Sequence, residues 1–529
     1  LYYDAYKKDM TAGTYPDVRS GLQKLLKDGL LLFNYTGHGG TTALSDEKVL
    51  TQTDINQFTY THLPVWVTAT CDFTRFDDLN TSAGEDVFLN KSSGGIALFT
   101  TVRVAYSRPN FPINDNVIRN LFERNNGRRR TLGEVMQATK NTLSSVYKLG
   151  FCLIGDPAVK IAYPEFGMKV TTVNGQSVDG NSISFKALEK ITVEGEVLDA
   201  SGQLVTDFTG IVNPTVKDSK VTVTCLKNSN KDDSPAFTFT DYPNTIFIGN
   251  DSVRNGKFSF TFTVPKDISY SNLQGKMNLY AVDTESGNEA QGNFDNFIVG
   301  GTSDTAETDT IGPEIRALYL NDTTFVDGGQ VNTTPYFVAE LWDKSGVNIT
   351  GSSVGHDMML VIDESTVLSY NLNSYYELLP GEEGTGIVKF PIPALEPGKH
   401  TAEFWVWDIL NNSTVRTFTF EVVEGLKPFL FDVIATPGIA REQVTFHLMH
   451  NRPESRMRVG IMVYDLAGRQ LWKHEESGTS GLFENYTVSW DLTSGGARMR
   501  PGVYIYRAAI STDNSKDATK ARKFIILGE

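Results

Sequence analysis

Three short, nearly unbroken apolar runs constrain the first third of the chain: "LLLFNY" at 30–35, "LPVWVTAT" at 63–70 and "GGIALFTTV" at 94–102. A strand with one face in water alternates apolar and polar residues. A strand without alternation must be covered on both faces, which is the pattern of a parallel sheet enclosed by helices. Helical signals stand between the runs. "YPDVRSGLQKLLKDG" has Pro16 at its start and Gly29 at its end, with Val18, Leu22, Leu25 and Leu26 on one face. A second helix is expected around 114–124. A third opens on the capping box Thr131-Leu-Gly-Glu134 and runs to about Tyr147, with Leu132, Val135, Met136 and Leu143 on or near one face. "FCLIGDPAVKIAYP" closes the block. Strand and helix in alternation predict an α/β domain with a parallel, sandwiched sheet over residues 1–164.

From about Phe166 the helical period disappears. Short alternating strands and Gly-containing turns take over, as in "KITVEGEVLD", "SKVTVTCLK", "GKFSFTFTVP" and "KMNLYAVD". This pattern predicts three antiparallel β-sandwich modules, at 165–300, 301–424 and 425–529. The polar, acidic stretch "GGTSDTAETDTIGP", 300–313, reads as a linker. Later strands are marked by "YFVAELWDKSGVN", "KHTAEFWVWDILNNS", "VGIMVYDLAGRQLW" and "PGVYIYRAAI". No period of 20–50 residues is evident, which excludes a solenoid.

The formal charge of −15, from 63 acidic and 48 basic residues, argues against a general nucleic-acid binder. The one compact basic cluster, Arg128-Arg129-Arg130, reads as a solvated loop. Three cysteines, Cys71, Cys152 and Cys225, make neither a disulfide framework nor a metal-ligand spacing. No apolar run is long enough for a transmembrane helix. The sequence starts at Leu1 without an initiator Met or signal peptide, and it reads as opening inside a domain of a longer chain.

One place combines a nucleophile with a base. "WVTATC" delivers Cys71 at the end of one buried strand, and "FNYTGHGG" delivers His38 just past the end of another. Ligands of open parallel sheets sit outside the carboxyl ends of the strands. On neighbouring strands, a thiol there could give its proton to imidazole and attack a carbonyl. The glycines around His38 leave backbone uncovered, so the N–H groups of Gly39 and Cys71 are candidate oxyanion donors. The plain alternatives stand beside this: a cysteine after a strand as a small buried hydrophobe, and a histidine as a turn residue. Cys152 and Cys225 read as structural. His62, His356, His400, His447, His450 and His474 read as surface or core-edge residues. Acidic turns at Asp343 and Asp408 offer oxygen ligands for a structural calcium ion, although the spacing lacks the D-x-D-x-D-G loop.

"FNYTGHGG", "WVTATCDF", "SSGGIALFTT" and "LIGDPAVKI" resemble, in order and spacing, the caspase-like catalytic domain of the gingipain family of cysteine peptidases. His38 and Cys71 match the family's catalytic pair, and the sandwich that follows resembles the immunoglobulin-like domain those enzymes carry, which makes the three β modules immunoglobulin-like by implication. "VYDLAGRQLW", "WDLTSGG" and "RPGVYIYRA" resemble the C-terminal signal domain of the type IX secretion system. With "IGPEIRALYLND", "HDMMLVID" and "HTAEFWVWDILNNS", the whole is most similar to that system's C-terminal signal peptidase and sortase branch. The resemblance implies a cysteine peptidase acting through a Cys71 thioester, with no cofactor needed for its chemistry. It implies an enzyme on the extracellular face of the outer membrane of a Gram-negative bacterium. There it would cut C-terminal signal domains from secreted cargo and pass the new C-terminus to anionic lipopolysaccharide. The implied partners are those cargo domains, an outer-membrane β-barrel shuttle protein and other attachment-complex subunits.

The resemblance also implies more sheet, most of the specificity pocket and an acidic residue orienting the histidine, all upstream of Leu1. The last module opens "ATPGIAREQV" where signal domains carry Pro-Asn-Pro, which suits a retained docking module better than a cleavable signal. Two alternatives keep their place: a secreted gingipain-like endopeptidase that is itself cargo, and a β-rich adhesin with an inactive peptidase head.

Overall fold

A computed structural model describes residues 1–125, 127–228, 234–304, 309–351, 355–379, 384–512 and 514–528. The first block contains α1 (Pro16–Asp28), β1 (Leu32–Thr36), β2 (Ala43–Leu44), β3 (Leu50–Thr51), α2 (Gln52–Gln57) and β4 (Val65–Ala69). It continues through α3 (Ala83–Leu89), β5 (Ala97–Thr101), α4 (Ser107–Phe122), α5 (Leu132–Thr142) and β6 (Phe151–Gly155). The main sheet has the order β1-β4-β5-β6. β1, β4 and β5 are parallel, and β6 runs antiparallel to β5. The expected all-parallel sheet is therefore mixed. The apolar run of β6 promised burial and carried no information about direction.

The central strands β4 and β5 are buried at every residue, as unbroken apolar runs require. One sheet face, with Phe33, Trp66 and Leu98, packs on α1, α2 and α3 through Val18, Leu26, Ile55, Ala83 and Val87. Phe33 stacks on Trp66 with ring centroids 3.9 Å apart. The other face, with Val65, Val67, Ala97 and Phe99, packs on α4 and α5 through Ile113, Val117, Leu121, Leu132 and Val135. β1 departs from the doubly covered reading: among the described residues no strand pairs its other side, and Asn34 and Thr36 are exposed. Leu25 is also displaced from its expected place. It is 41% exposed, because the buried stripe of α1 runs through Val18 and Leu26, with Leu22 partly buried beside them.

α4 begins seven residues before the expected start, with Pro112 inside it. α5 opens on the expected Thr131–Glu134 capping box but stops at Thr142, and Leu143 turns to an extended conformation. The triple-arginine loop is not simply solvated. Arg128 pairs with Glu134, Arg129 with Glu165 and Arg130 with Glu123. These bonds tie the N-terminus of α5 to the end of α4 and to the exit from the block.

Beyond residue 165 the chain is β-rich. A nine-stranded and a three-stranded sheet share one core between 166 and 302, around Val193, Phe260, Val212 and Phe185. Four- and five-stranded sheets share a second between 314 and 422, around Phe337, Phe404 and Phe420. Three- and five-stranded sheets share a third between 430 and 526, around Phe446, Tyr506 and Phe524. The stretch read as a linker begins inside the strand Phe297–Thr302, and its residues 305–308 lie outside the described residues. Among the described residues no helix is long and apolar enough to cross a membrane.

Candidate active site

β1 and β4 pair in parallel with Leu32 opposite Val65 and Thr36 opposite Ala69, a constant offset of 33 residues. The two strands end at Thr36 and Ala69, so His38 and Cys71 each stand two residues beyond the end of its own strand, at the same edge of the sheet. The sequence interval between the two residues is therefore the strand register itself. Neighbouring strands lie about 4.8 Å apart, so both residues rise from one rim.

The histidine turn is fixed by its backbone. The His38 carbonyl accepts from the Tyr35 hydroxyl at 2.6 Å and from the Ser45 amide at 2.8 Å. Burial pushes the Tyr35 phenol well above its usual range, so it stays a donor. A Cβ on Gly37 would lie 2.7 Å from that phenol oxygen, so a larger residue there would have to displace the tyrosine. Gly39 bridges Leu44, with Gly40 N–H on Ala43 O and Ser45 N–H on His38 O. This is the non-hydrogen-bonded kind of antiparallel pair, so the Gly39 amide points away from β2. Ala83 N–H on Thr41 O ties the turn to the start of α3.

The His38 side chain is exposed and makes no hydrogen bond or ion pair among the described residues. Cys71 is half-buried and is followed by Asp72 with φ of 49°, a sharp left-handed turn. Its thiol donates to Ala105 O at 3.0 Å, and the Ala105 amide donates back to Sγ at 3.4 Å. The structure thus brings the two predicted residues to one rim without bonding them to each other. Neither the Gly39 nor the Cys71 amide donates a hydrogen bond among the described residues.

Beneath the rim lies a layer of buried hydroxyls. Thr68 donates to Thr100 at 2.7 Å, Thr74 bonds Thr100 at 2.9 Å, and Thr101 donates to Thr70 O at 2.7 Å. Arg103 grips Asp77 through two hydrogen bonds, joining the loops on either side of Cys71. Phe76, Leu79, Val104 and Tyr106 are exposed on those loops. Sequence reasoning passed over this segment because nothing in its spacing marks it as lying against the thiol.

The remaining candidates fall elsewhere. Cys225 is buried, and burial raises its thiol pKa, while Cys152 is half-buried on β6. His356 Nδ1 lies 2.6 Å from Asp267, His400 Nδ1 2.7 Å from Asp363 and His474 Nε2 2.9 Å from Glu476. The two acidic turns do converge: Asp343 and Asp408, joined by Asp309, bring carboxylate oxygens within 4.8 Å of one another. This all-oxygen donor set is the chemistry that suits calcium. Burial pushes the Asp343 carboxyl up to about 6 and also raises that of Asp408.

Residues 1–162 match the model of peptidase family C25. Dimeric latent PorU from Porphyromonas gingivalis is 34% identical, with 98% of this chain and 47% of that one covered and a TM-score of 0.34. The Arg-specific cysteine proteinase gingipain R is 18% identical over 53% of this chain and 56% of that one, with a TM-score of 0.26. The complex of Porphyromonas gingivalis RgpB pro- and mature domains is 20% identical over 53% and 57%, also at 0.26. The chain spans about half the length of these proteins. Among curated proteins no sequence match was found.

Proposed function

We propose, from the premise that residues 1–162 are a segment of peptidase family C25, that this chain is a cysteine peptidase using Cys71 and His38. The observation that supports the reading is the in-register pairing of β1 with β4, whose two strands end two residues before His38 and Cys71. Cys71 attacks the scissile carbonyl while His38 takes its proton. The Gly39 and Cys71 amides hold the developing oxyanion, and His38 then protonates the leaving amine. A thioester remains on Cys71 and passes to water or to an amine. For that cycle the thiol must leave Ala105 and the imidazole must turn in over it. Geometry in an unliganded site often tightens only with substrate.

The finer reading is a surface sortase of type IX secretion. It removes C-terminal signal domains and joins the new C-terminus to anionic lipopolysaccharide, docked to a β-barrel shuttle protein through an immunoglobulin-like last module that stays attached. Sequence resemblance supports the system. The packing of Leu482 against the cluster of Tyr319, Val338 and Ile387 supports a last module integrated with its neighbour. In cells carrying Cys71→Ala, cargo should keep its C-terminal signals, and normal cargo maturation would sink the proposal. Mass spectrometry of the native surface protein should find residues up to the C-terminal end, whereas their loss would favour a secreted endopeptidase that is itself cargo. The bond between the Cys71 thiol and Ala105 favours a second reading, an inactive head on an adhesin. Labelling of Cys71 by an active-site-directed thiol probe excludes it.

A further inference from the structure

The peptide unit that enters Cys71 is gripped from two elements at once. Its carbonyl, on Thr70, accepts from Thr101 Oγ1 at 2.7 Å and from Asn110 Nδ2 at 3.3 Å. Thr101 is the last residue of β5, and Asn110 stands in the first turn of α4. Both side chains belong to buried residues, 2% and 5% exposed, and Thr70 is buried with them. A carbonyl can only accept, so the partner itself fixes which end of the Asn110 amide faces it. Among the described residues this is the one hydrogen bond that the Asn110 side chain makes.

The direction of that carbonyl sets the direction of the Cys71 amide. Ala69, one residue earlier, turns its carbonyl to the β1 side, where it accepts from the Gly37 amide at 3.4 Å. Thr70 turns its carbonyl the other way, toward the end of β5. The Thr70–Cys71 peptide is trans. Across a trans peptide the N–H points opposite to the C=O. The Cys71 N–H is therefore directed to the β1 side, where the His38 turn stands. Beyond Cys71 the chain is pinned again: the Asp72 amide donates to Arg103 O at 3.4 Å and the Thr74 amide to Thr101 O at 3.1 Å. The units before and after the thiol are thus bonded to the 101–103 segment. The Cys71 N–H, between them, donates no hydrogen bond among the described residues.

We infer that Thr101 and Asn110 are positioning residues. From β5 and α4 they hold the Thr70–Cys71 peptide so that its N–H stays turned to the β1 side, as donor to the anionic oxygen that forms when Cys71 attacks a carbonyl. The inference rests on the peptidase reading above. A donor already aimed at developing charge needs no reorganisation during the reaction, and this is where such groups gain their effect. The two bonds on the carbonyl also polarise the amide, which makes its N–H a stronger donor. Without them the peptide plane is free to rotate, and the N–H loses its aim while the thiol stays where it is.

The test uses the full chain and two small reagents that share the Cys71 thiolate. With p-nitrophenyl acetate the thiolate attacks the acetyl carbonyl through a tetrahedral oxyanion. The C–S bond forms, the C–O bond breaks, p-nitrophenolate leaves and an acetyl thioester remains. With iodoacetamide the thiolate displaces iodide and no oxyanion forms. Both rates are read on the Cys71 peptide by mass spectrometry. Thr101→Val and Asn110→Leu should each lower acetylation about 2- to 10-fold, the worth of one hydrogen bond. Together they should approach a loss of about 100-fold, that of an oxyanion donor. Alkylation should keep its wild-type rate and pH profile in all three variants. Thr101→Ser retains the hydroxyl and should restore acetylation. Acetylation and alkylation that fall together, or a double variant that acetylates at the wild-type rate, would overturn the positioning role. A Cys71 that reacts with neither reagent in the wild-type chain overturns the peptidase reading, and the role with it.

Discussion

Gly39→Ala tests how closely the histidine turn is built onto the cysteine strand. A Cβ at Gly39 would lie 2.5 Å from Thr70 Oγ1, 3.4 Å from Thr70 Cβ and 3.2 Å from Ala43 O. The first contact is about 1 Å inside the ~3.5 Å at which non-bonded atoms attract. Thr70 is fully buried, so its hydroxyl has no solvent to swing into, and the Ala43 carbonyl is backbone. Overpacking of this kind costs about 1–3 kcal/mol. For a block of this size, each kcal/mol lowers the melting temperature by about 2–4 °C. The strain can relax only by lifting the turn away from β4, which separates His38 from Cys71. A misplacement near 1 Å costs about 100-fold in rate. Gly40→Ala is the internal control: nothing lies within 4 Å of its would-be Cβ, so it should stay within about 0.5 kcal/mol of wild type. Thr70 Oγ1 has no hydrogen-bond partner, so Thr70→Ala removes the obstruction without breaking a bond. Gly39→Ala with Thr70→Ala should then recover more than half of the loss, a coupling of about 1–2 kcal/mol. Differential scanning fluorimetry reads the stability, and the rate of Cys71 alkylation reads the site. Equal effects of Gly39→Ala and Gly40→Ala, or no recovery in the double variant, would refute the reasoning.

Two further expectations concern pH. His450 is held neutral: burial, reinforced by Arg452, lowers its pKa from 6.5 to about 4, and its Nδ1 accepts the Arg452 amide at 3.1 Å. The unfolded chain takes up a proton that the folded one refuses, so this contribution is full above pH 6.5 and is lost as pH falls to 4. At about 1.4 kcal/mol per pKa unit it amounts to at most about 3 kcal/mol. Denaturant melts at stepped pH should show that slope in wild type and not in His450→Gln. Asp343 has the opposite sign. Its folded pKa of about 6 exceeds the ordinary 3.8, so its charge opposes folding increasingly as pH rises from 3.8 to 6. In EDTA at pH 7, Asp343→Asn should therefore stabilise by up to about 3 kcal/mol, a gain that vanishes below pH 4. A destabilised Asp343→Asn variant under those conditions would show that the buried charge is compensated.

The parts of the fold legible in the sequence are those that depend on which faces are buried. Unbroken apolar runs located β4 and β5 to within two or three residues, and alternation located strands such as Lys190–Leu198 and Lys257–Thr263. Direction and neighbourhood are not written in periodicity, so the antiparallel β6 and the one-sided pairing of β1 among the described residues were out of reach. Asn110 was hidden differently. The second helix was expected only from 114, so the first turns of α4, with Asn110 and its bond to the Thr70 carbonyl, were not read as part of it. Asp343 and Asp408 were readable as acidic turns, but Asp309, in the apolar-poor stretch taken for a linker, joins them only through tertiary packing.

His38 and Cys71 were legible for a reason that can be separated from their spacing. The 33-residue interval matches the β1–β4 register, yet most of the chain between them is hairpin, helix and loop. What the geometry requires is that each residue stand two positions beyond its own strand end. One residue inserted after Thr61, in the exposed bend before β4, changes the interval to 34 and should leave β1, β4 and the rim in place. One residue inserted between Gly37 and His38 makes the same interval but moves the imidazole off its register position and breaks the bonds of Tyr35 and Ser45 to the His38 carbonyl. The first variant should keep its pH-dependent alkylation of Cys71 and the second should lose it. Equal behaviour would mean that His38 does not govern the thiol through the strand register.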